Sequence, residues 1–324
     1  EMTSSLVGSE MCIRDRNNMD KIIRCITSDG AVMASAIDAS DIVFKAQKIH
    51  GLSRSATAAL GRLLCATSMM GAMLKQKDAS INLRVSGDGE LGPVIAVADS
   101  KGNVRGYVGN ANCPTEYYNN GKINVSKAVG KNGVLNVMRD YGSGDPYIGQ
   151  VELVSGEIAE DITNYFATSE QIPTVCALGV LINKEDGEVM LAGGLLIQLL
   201  PGAFEDTIEK LEKNLETLEP VTTMLAKGMS ILDICKTALA GFEVEVLDEY
   251  PVKYVCTCSR EKLERLFCTM SDDEIRAMPD ENGRVVANCH FCNKKYIFNK
   301  EDLEKIIKEK NSKDNTSKDK KSKE

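Results

Sequence analysis

Tryptophan is absent from this chain of 324 residues, and histidine occurs only twice, at His50 and His290. Histidine is the commonest general acid or base in enzymes, so its scarcity disfavours many catalytic constellations. Long hydrophobic runs are also missing, because the most apolar stretch, 63–74, is far shorter than the ~20 residues that span a bilayer. We therefore expect neither an enzyme that depends on histidine nor a membrane protein.

Cysteine is too sparse for a secreted scaffold held together by disulfides. The chain contains 11 cysteines, far below the ~8–10% of such scaffolds. We expect a cytoplasmic protein with reduced thiols, in which clustered cysteines indicate metal or redox chemistry. The net charge of −8 and the pI of about 5.1 disfavour a nucleic-acid partner.

Both ends of the chain differ in composition from the rest. Residues 1–18 show neither helical nor strand periodicity, which predicts an extraneous or disordered leader before a plausible start at Met19. Residues 301–324 are rich in lysine and other polar residues, which predicts a largely disordered tail.

Segment 19–202 has the pattern of an α+β core domain. Residues 53–76 are predicted to form a helix that begins at a serine N-cap and is buried on every side, because small and apolar residues follow Arg62 almost without interruption. Alternating segments such as 81–85 and 94–98 lie between glycine-rich turns, which predicts antiparallel strands.

Segment 203–250 is acidic, with 11 acidic residues against four lysines, and is predicted to be a helical linker. Its apolar residues recur at spacings of three and four up to Leu218, the pattern of an amphipathic helix with a narrow stripe. Pro220 is predicted to end this helix, and a second helix is expected over 221–240.

Gly87, Gly89 and Gly92 form a G-x-G-x-x-G sequence that resembles a dinucleotide-binding fingerprint. That fingerprint requires a helix directly after the glycines. Here Pro93 and an alternating, strand-like segment follow instead, so the three glycines are interpreted as a turn between strands.

Four cysteines near the C-terminus form two pairs, Cys256 with Cys258 and Cys289 with Cys292. Residues i and i+2 of an extended segment point to one face, and a C-x-x-C turn directs two sulfurs toward one point. Two such pairs predict a tetrahedral site for one Zn²⁺ in a small C-terminal domain over 251–300. His290 is expected outside the ligand set, since four sulfurs already complete the tetrahedron.

The remaining cysteines are interpreted mainly as packing residues. Cys268 is expected to pack on a helix face, although a role as an additional thiol during oxidation stays open. Cys12 falls in the doubtful leader. The other five lie among small or apolar residues and are predicted to be buried: Cys25, Cys65, Cys113, Cys176 and Cys235.

At this point the sequence resembles the redox-regulated 33 kDa chaperonins, a family of bacterial heat-shock holdases. The resemblance covers about 19–300 and is most specific in YVCTCSREKLERLF and VVANCHFCNKKYIF. It implies a core of β/α/β layers around a buried helix, a helical linker and a C-terminal zinc switch domain.

The resemblance also implies a mechanism. Reduced Cys256, Cys258, Cys289 and Cys292 would hold Zn²⁺; on oxidation Cys256 would pair with Cys258 and Cys289 with Cys292, and zinc would be released. The switch domain and linker would then unfold, and the exposed apolar surface, including Leu211, Leu215 and Leu218 of the linker stripe, would hold unfolding client proteins without ATP. The active form would be a homodimer.

Two other functions fit parts of the pattern. A static zinc ribbon would recruit nucleic acid or a protein partner, but the acidic chain disfavours nucleic acid. A thiol–disulfide oxidoreductase would use Cys289 and Cys292, yet it would require a C-x-x-C that opens a helix in a βαβ setting. We therefore expect a binding protein rather than an enzyme.

Overall fold

The structure is a computed structural model that describes residues 19–321, with side chains as far as Asn311; the leader predicted over 1–18 lies outside the described residues. The chain divides after Val255 into two compact units. The strands are β1 Lys21–Thr27, β2 Val32–Asp38, β3 Ser80–Ser86, β4 Val94–Asp99, β5 Val104–Val108, β6 Val134–Asp140, β7 Tyr147–Glu152, β8 Thr174–Ile182, β9 Val189–Leu199, β10 Val244–Pro251, β11 Arg284–Asn288 and β12 Lys295–Asn299.

The helices are α1 Ser40–His50, α2 Arg54–Ala72, α3 Val125–Val129, α4 Ala159–Tyr165, α5 Glu205–Glu216, α6 Val221–Ala226, α7 Ile231–Ala238, α8 Arg260–Phe267, α9 Asp272–Ala277 and α10 Lys300–Lys321. A π-helical turn, Phe166–Glu170, follows α4. No helix among the described residues is long and apolar enough to cross a membrane.

Two five-stranded antiparallel sheets form the first unit. The first has the strand order β10-β1-β2-β9-β8 and the second the order β5-β4-β3-β6-β7. The alternation in β3 has the expected consequence, because Ile81, Leu83 and Val85 are fully buried while Arg84 is exposed. The predicted α+β class is confirmed.

Helix α2 lies between the two sheets and packs against strands of both. The Ser53 side chain accepts a hydrogen bond from the Ala56 N–H and so caps the first turn. Every residue of α2 except Arg54 and Arg62 is buried. The β/α/β layering and the buried helix are therefore as expected, although the helix ends at Ala72 rather than at residue 76.

Helices α5, α6 and α7 cover the outer face of the first sheet. They form a second apolar core with residues of that face, among them Ile23, Ala34 and Ile197. The segment predicted as a helical linker is thus part of the first compact unit. Moreover, its last part is not helical: β10 pairs with β1 along the edge of the sheet, because 244–251 alternates in a way that the helical interpretation overlooked.

The helix expected over 221–240 is interrupted. Helix α6 ends at Ala226 and α7 starts at Ile231, with Gly228 in a left-handed conformation between them. Ser230 and Asp233 then form a capping box that starts α7. The break allows Met224 and Ile234 to be buried on the same sheet.

The three glycines of the G-x-G-x-x-G sequence form a turn, as interpreted, because β4 follows them directly. At Gly89 a Cβ would lie 2.2 Å from the Ala128 carbonyl oxygen, so a side chain cannot fit. The glycine at this position therefore allows the backbone of the turn to lie close to the backbone at Ala128.

The second unit contains the β11–β12 hairpin and helices α8, α9 and α10. Its apolar core includes Phe267 and Phe298, whose rings meet edge to face with centroids 5.0 Å apart. Residues 301–311, part of the tail expected to be largely disordered, instead belong to the start of α10, and Leu303, Ile306 and Ile307 are buried in this core. The helix was not predicted because these three apolar residues, although at helical spacing, stand among many lysines.

Candidate metal site in the C-terminal unit

The first cysteine pair lies in an extended segment directly before α8. Cys256 and Cys258 are separated by Thr257, and the side chain of Ser259 accepts a hydrogen bond from the Lys262 N–H to cap the helix. The start of α8 therefore fixes the end of the segment that carries the pair.

The second pair lies in the turn that joins β11 to β12. The Cys289 N–H donates to the Lys294 carbonyl at 3.0 Å, and the Asn293 N–H donates to the Cys289 carbonyl at 2.8 Å. Asn293 has a left-handed φ of 56°, which this tight turn requires and which asparagine tolerates. The turn directs Cys289 and Cys292 to the same side, as the C-x-x-C spacing predicts.

All four sulfurs lie within 4.8 Å of one another. The Cys256 and Cys289 sulfurs are 3.6 Å apart, and the Cys258 and Cys292 sulfurs are 3.4 Å apart. A tetrahedral zinc site with Zn–S bonds of ~2.3 Å has sulfurs about 3.8 Å apart, whereas a disulfide bond is ~2.05 Å long. The four thiols could thus hold one metal ion with little adjustment.

Several hydrogen bonds converge on the sulfurs. The Tyr296 hydroxyl donates to the Cys258 sulfur at 3.2 Å. The backbone N–H groups of Cys258 and Lys294 oppose the effect of burial by acting to lower the pKa of Cys256 and of Cys292, respectively. Such donors stabilise thiolates and hold them in orientation for a metal.

The four thiols do not share the same proton affinity. Burial raises the pKa of Cys256 to about 12 and also raises the pKa of Cys292. At Cys258 burial acts in the same direction, but the hydrogen bonds from Tyr296 and from neighbouring thiols prevail and lower its pKa to about 7. Cys258 is therefore more readily present as a thiolate than Cys256 or Cys292 when the site holds no metal.

The other sequence expectations for cysteine and histidine can be placed. Among the described residues the ligand group consists of the four sulfurs alone, so His290 is not a member. Cys268 caps the end of α8 and packs against the core of the unit, as expected. Of the five cysteines predicted to be buried, four are buried and Cys176 is partly exposed.

The linker leucines proposed for client binding are covered in this structure. Leu211 is buried, while Leu215 and Leu218 are partly buried and pack against the second apolar core of the first unit. They are available to another protein only if α5 leaves the sheet.

Tyr296 is the site residue that sequence reasoning missed. It stands four residues after Cys292, and it pairs with Ala287 across the hairpin. The short distance in sequence between the C-x-x-C and Tyr296 is the signal that could have identified it. A strand residue so soon after the turn is held beside the sulfurs.

A layered α+β unit followed by a small unit built around four thiols defines a two-unit protein with a site able to hold one metal ion. Comparison with known proteins gives the family. The family model described as "Hsp33 protein" matches residues 20–299, and the chain belongs to this family of chaperones.

Named relatives and a solved structure agree with that assignment. The "33 kDa chaperonin" of Acetivibrio thermocellus is 46% identical over 289 residues, which cover 89% of this chain and 97% of the relative. That of Clostridioides difficile is 44% identical over 290 residues, covering 90% and 99%. The crystal structure of the 33 kDa chaperonin from Thermotoga maritima is similar with a TM-score of 0.82 and 33% identity, covering 91% of this chain and all of that one. Chaperonins of this family are not enzymes.

Proposed function

We propose that this chain is a redox-regulated, ATP-independent holdase of the cytoplasm that is inactive when reduced and zinc-bound. The observation that carries the proposal is the group of four thiols at the centre of a unit with a small core. Oxidation of these thiols removes the metal ligands and activates client binding.

The residues present fit zinc. Four cysteine sulfurs within 4.8 Å of one another are the donor set that selects Zn²⁺. When bound, Zn²⁺ would hold Cys256, Cys258, Cys289 and Cys292 together as thiolates and supply folding free energy to the unit. The hydroxyl of Tyr296 and the backbone N–H groups would orient the sulfurs.

Oxidation joins Cys256 to Cys258 and Cys289 to Cys292 in this proposal. Two molecules of hydrogen peroxide take up four electrons and four protons from the four thiols, which gives two disulfides and four molecules of water. Each disulfide closes a short local loop, so neither one connects the α8 segment to the hairpin. The two cysteine pairs are then no longer held together, and the unit unfolds.

The unfolding reaches the first unit through the chain itself. Strand β10 ends at Pro251, only a few residues before Cys256. This strand follows α5, α6 and α7 in sequence and pairs along the sheet edge with β1. Loss of order after Val255 therefore loosens β10 first and then the three helices that it follows.

Release of α5–α7 would produce a large apolar surface. The outer face of the first sheet would expose residues such as Ile23 and Ile197, and the helix stripe would expose Leu211, Leu215 and Leu218. Such a surface binds the apolar segments of unfolding client proteins. Two copies of the chain would share it as the homodimer of the oxidised form.

Zinc release and suppression of client aggregation, measured on the same sample, test this function. The reduced, zinc-loaded chain is expected to release its zinc and to suppress aggregation only after peroxide, and a thiol reductant with zinc should reverse both. Cys258→Ser removes one ligand and should be active without oxidant, whereas Cys268→Ala, a change in the same unit outside the site, should behave as the parent chain. Aggregation suppression that is independent of oxidant would instead favour a static zinc ribbon, and turnover of a dithiol substrate would favour an oxidoreductase.

A further inference from the structure

A second pair of thiols meets between the first sheet and the helices that cover it. Cys25 belongs to β1 and Cys235 belongs to α7, so 209 residues separate them in sequence. Both side chains are fully buried and belong to the same apolar core. Within this core the Cys25 and Cys235 thiols are each other's side-chain partners.

The surroundings distinguish this pair from the other buried cysteines. Helix α7 packs directly on β1 and β2, so the contact joins two elements that the proposed activation would separate. At Cys25 the pairing of β1 with β10 shifts register, which places an irregularity of the strand beside the thiol. Cys113 serves as a contrast, because its sulfur lies 3.6 Å from the hydroxyl of Ser53 rather than beside a thiol.

We propose that Cys25 and Cys235 form a second redox site, whose disulfide links α7 to β1. This disulfide keeps the helical cover, which consists of α5, α6 and α7, packed on the first sheet. The step consumes one molecule of hydrogen peroxide. The Cys25 sulfur attacks one peroxide oxygen and breaks the O–O bond; the departing hydroxide takes the proton of the Cys25 thiol, which leaves a sulfenic acid and water. The Cys235 sulfur then displaces the sulfenic hydroxyl, which takes the Cys235 proton and leaves as a second molecule of water.

The chemistry of the two thiols favours these roles. The hydrogen bond from Cys235 lowers the pKa of Cys25 despite burial, while the same bond and burial raise the pKa of Cys235. Cys25 is accordingly the nucleophile, and Cys235 is the resolving thiol.

Burial determines when the site reacts. Because both sulfurs are fully buried, peroxide reaches them only during openings of the helical cover, and the disulfide forms when α7 returns to the sheet. The partly exposed thiols of the C-terminal unit react earlier. A chain cross-linked at Cys25 and Cys235 can no longer release α7. The effect on client binding rests on the proposed function, but the disulfide itself does not.

Peptide mapping after oxidation tests the proposal on the full chain. The reduced, zinc-loaded protein is treated with peroxide, free thiols are blocked, and trypsin then releases peptides 25–45 and 228–236, which carry Cys25 and Cys235. We expect these two peptides joined by a disulfide, at a rate at least tenfold below that of oxidation at Cys256 and Cys258. Hydrogen exchange over 231–238 should be at least tenfold slower in the cross-linked chain.

Two variants provide the controls. Cys235→Ala keeps a small apolar side chain in the core and should abolish the joined peptide while zinc release continues as before; Cys113→Ala should leave the joined peptide intact. The proposal is overturned if Cys25 and Cys235 remain open to alkylation after all four cluster cysteines are oxidised, or if Cys25 pairs with another cysteine. A joined peptide in a chain that never suppresses aggregation would support this site and contradict the proposed function.

Discussion

The two units of this chain differ in what holds them together. In the first unit, apolar side chains pack on both faces of the first sheet, and α2 is enclosed between two sheets. In the second unit, as far as its side chains are described, eight apolar side chains are buried. A domain of about 60 residues is marginally stable without a metal or disulfides. The comparison shows why one unit can serve as a permanent scaffold while the other can respond to the state of four thiols.

Metal removal should produce the largest difference in stability between the two units. Chelation of zinc from the reduced chain is expected to unfold the C-terminal unit, because binding of structural zinc contributes about 10 kcal/mol or more to folding of such sites. Hydrogen exchange should then show loss of protection over 260–307 and retained protection in α2. Full protection of the hairpin strands without zinc would contradict the comparison.

Truncation of one core aromatic in each unit should sharpen the contrast. Phe298→Ala and Tyr165→Ala each remove a fully buried ring, at a cost of about 3–5 kcal/mol. We expect Phe298→Ala to leave the small unit unfolded at moderate zinc concentrations, whereas Tyr165→Ala should lower the melting temperature of a first unit that stays folded. The measurement is thermal unfolding at several zinc concentrations: the small-unit transition that Phe298→Ala lowers should shift with zinc, whereas the first-unit transition that Tyr165→Ala lowers should not. A Phe298→Ala chain as stable as the parent would contradict the view that the second unit has little stability to spare.

The Tyr296 hydroxyl should increase the zinc affinity of the four-cysteine site. Tyr296→Phe removes the hydroxyl that donates to the Cys258 sulfur, and loss of such a partner of a metal ligand lowers metal affinity by about 10–100-fold. Competition with a chromogenic chelator measures the affinity, and the rate of thiol oxidation should rise in parallel.

Tyr254→Phe is the matched control. Its hydroxyl donates to the Gly106 carbonyl within the first unit, so its loss should destabilise that unit slightly and leave zinc affinity unchanged. Equal zinc affinities in Tyr296→Phe and the parent would show that the hydrogen bond does not act on the site.

The last effect concerns pH and the first unit alone. Burial raises the pKa of Asp20 to about 8, although its carboxyl accepts hydrogen bonds from the Asp41 and Ile42 N–H groups. The folded chain therefore binds this proton more tightly than the unfolded chain. The resulting stability is complete below about pH 4 and is lost as pH rises toward 8, by at most about 1.4 kcal/mol per pH unit.

Asp20→Asn removes this titration and should flatten the dependence. Denaturant unfolding of the first unit between pH 5 and pH 8, followed by a probe in α2, measures it. An unchanged slope in Asp20→Asn would assign the pH dependence to other groups.

The sequence predicted the parts of the structure that depend on local pattern. The four thiols could be placed because metal ligation requires fixed spacings. The buried helix and the antiparallel strands could be expected because α2 is apolar on every side and β3 alternates, whereas the β/α/β layering was implied by the family resemblance. The glycines at 87–92 were correctly interpreted as a turn rather than a dinucleotide site, because a strand and not a helix follows them.

The errors arose where tertiary packing decides the outcome. Segment 244–251 is acidic and was assigned to a linker, yet it is stabilised as an edge strand by pairs such as Arg24 with Asp248. Helix α10 was missed because three buried residues stand among many lysines. The contact of Cys25 with Cys235 has no sequence spacing that would reveal it, since it joins elements brought together only by the fold. For the contact of Tyr296 with Cys258, the position of Tyr296 four residues after Cys292 was the one available signal.

The central claim is that the thiols of the second unit control the helical cover of the first. Hydrogen exchange over 205–238, followed during stepwise oxidation together with zinc release, tests it most directly. The account predicts that protection of α5, α6 and α7 falls at the same oxidant dose at which zinc is released, while α2 stays protected. Complete zinc release with unchanged protection over 205–238 would contradict it.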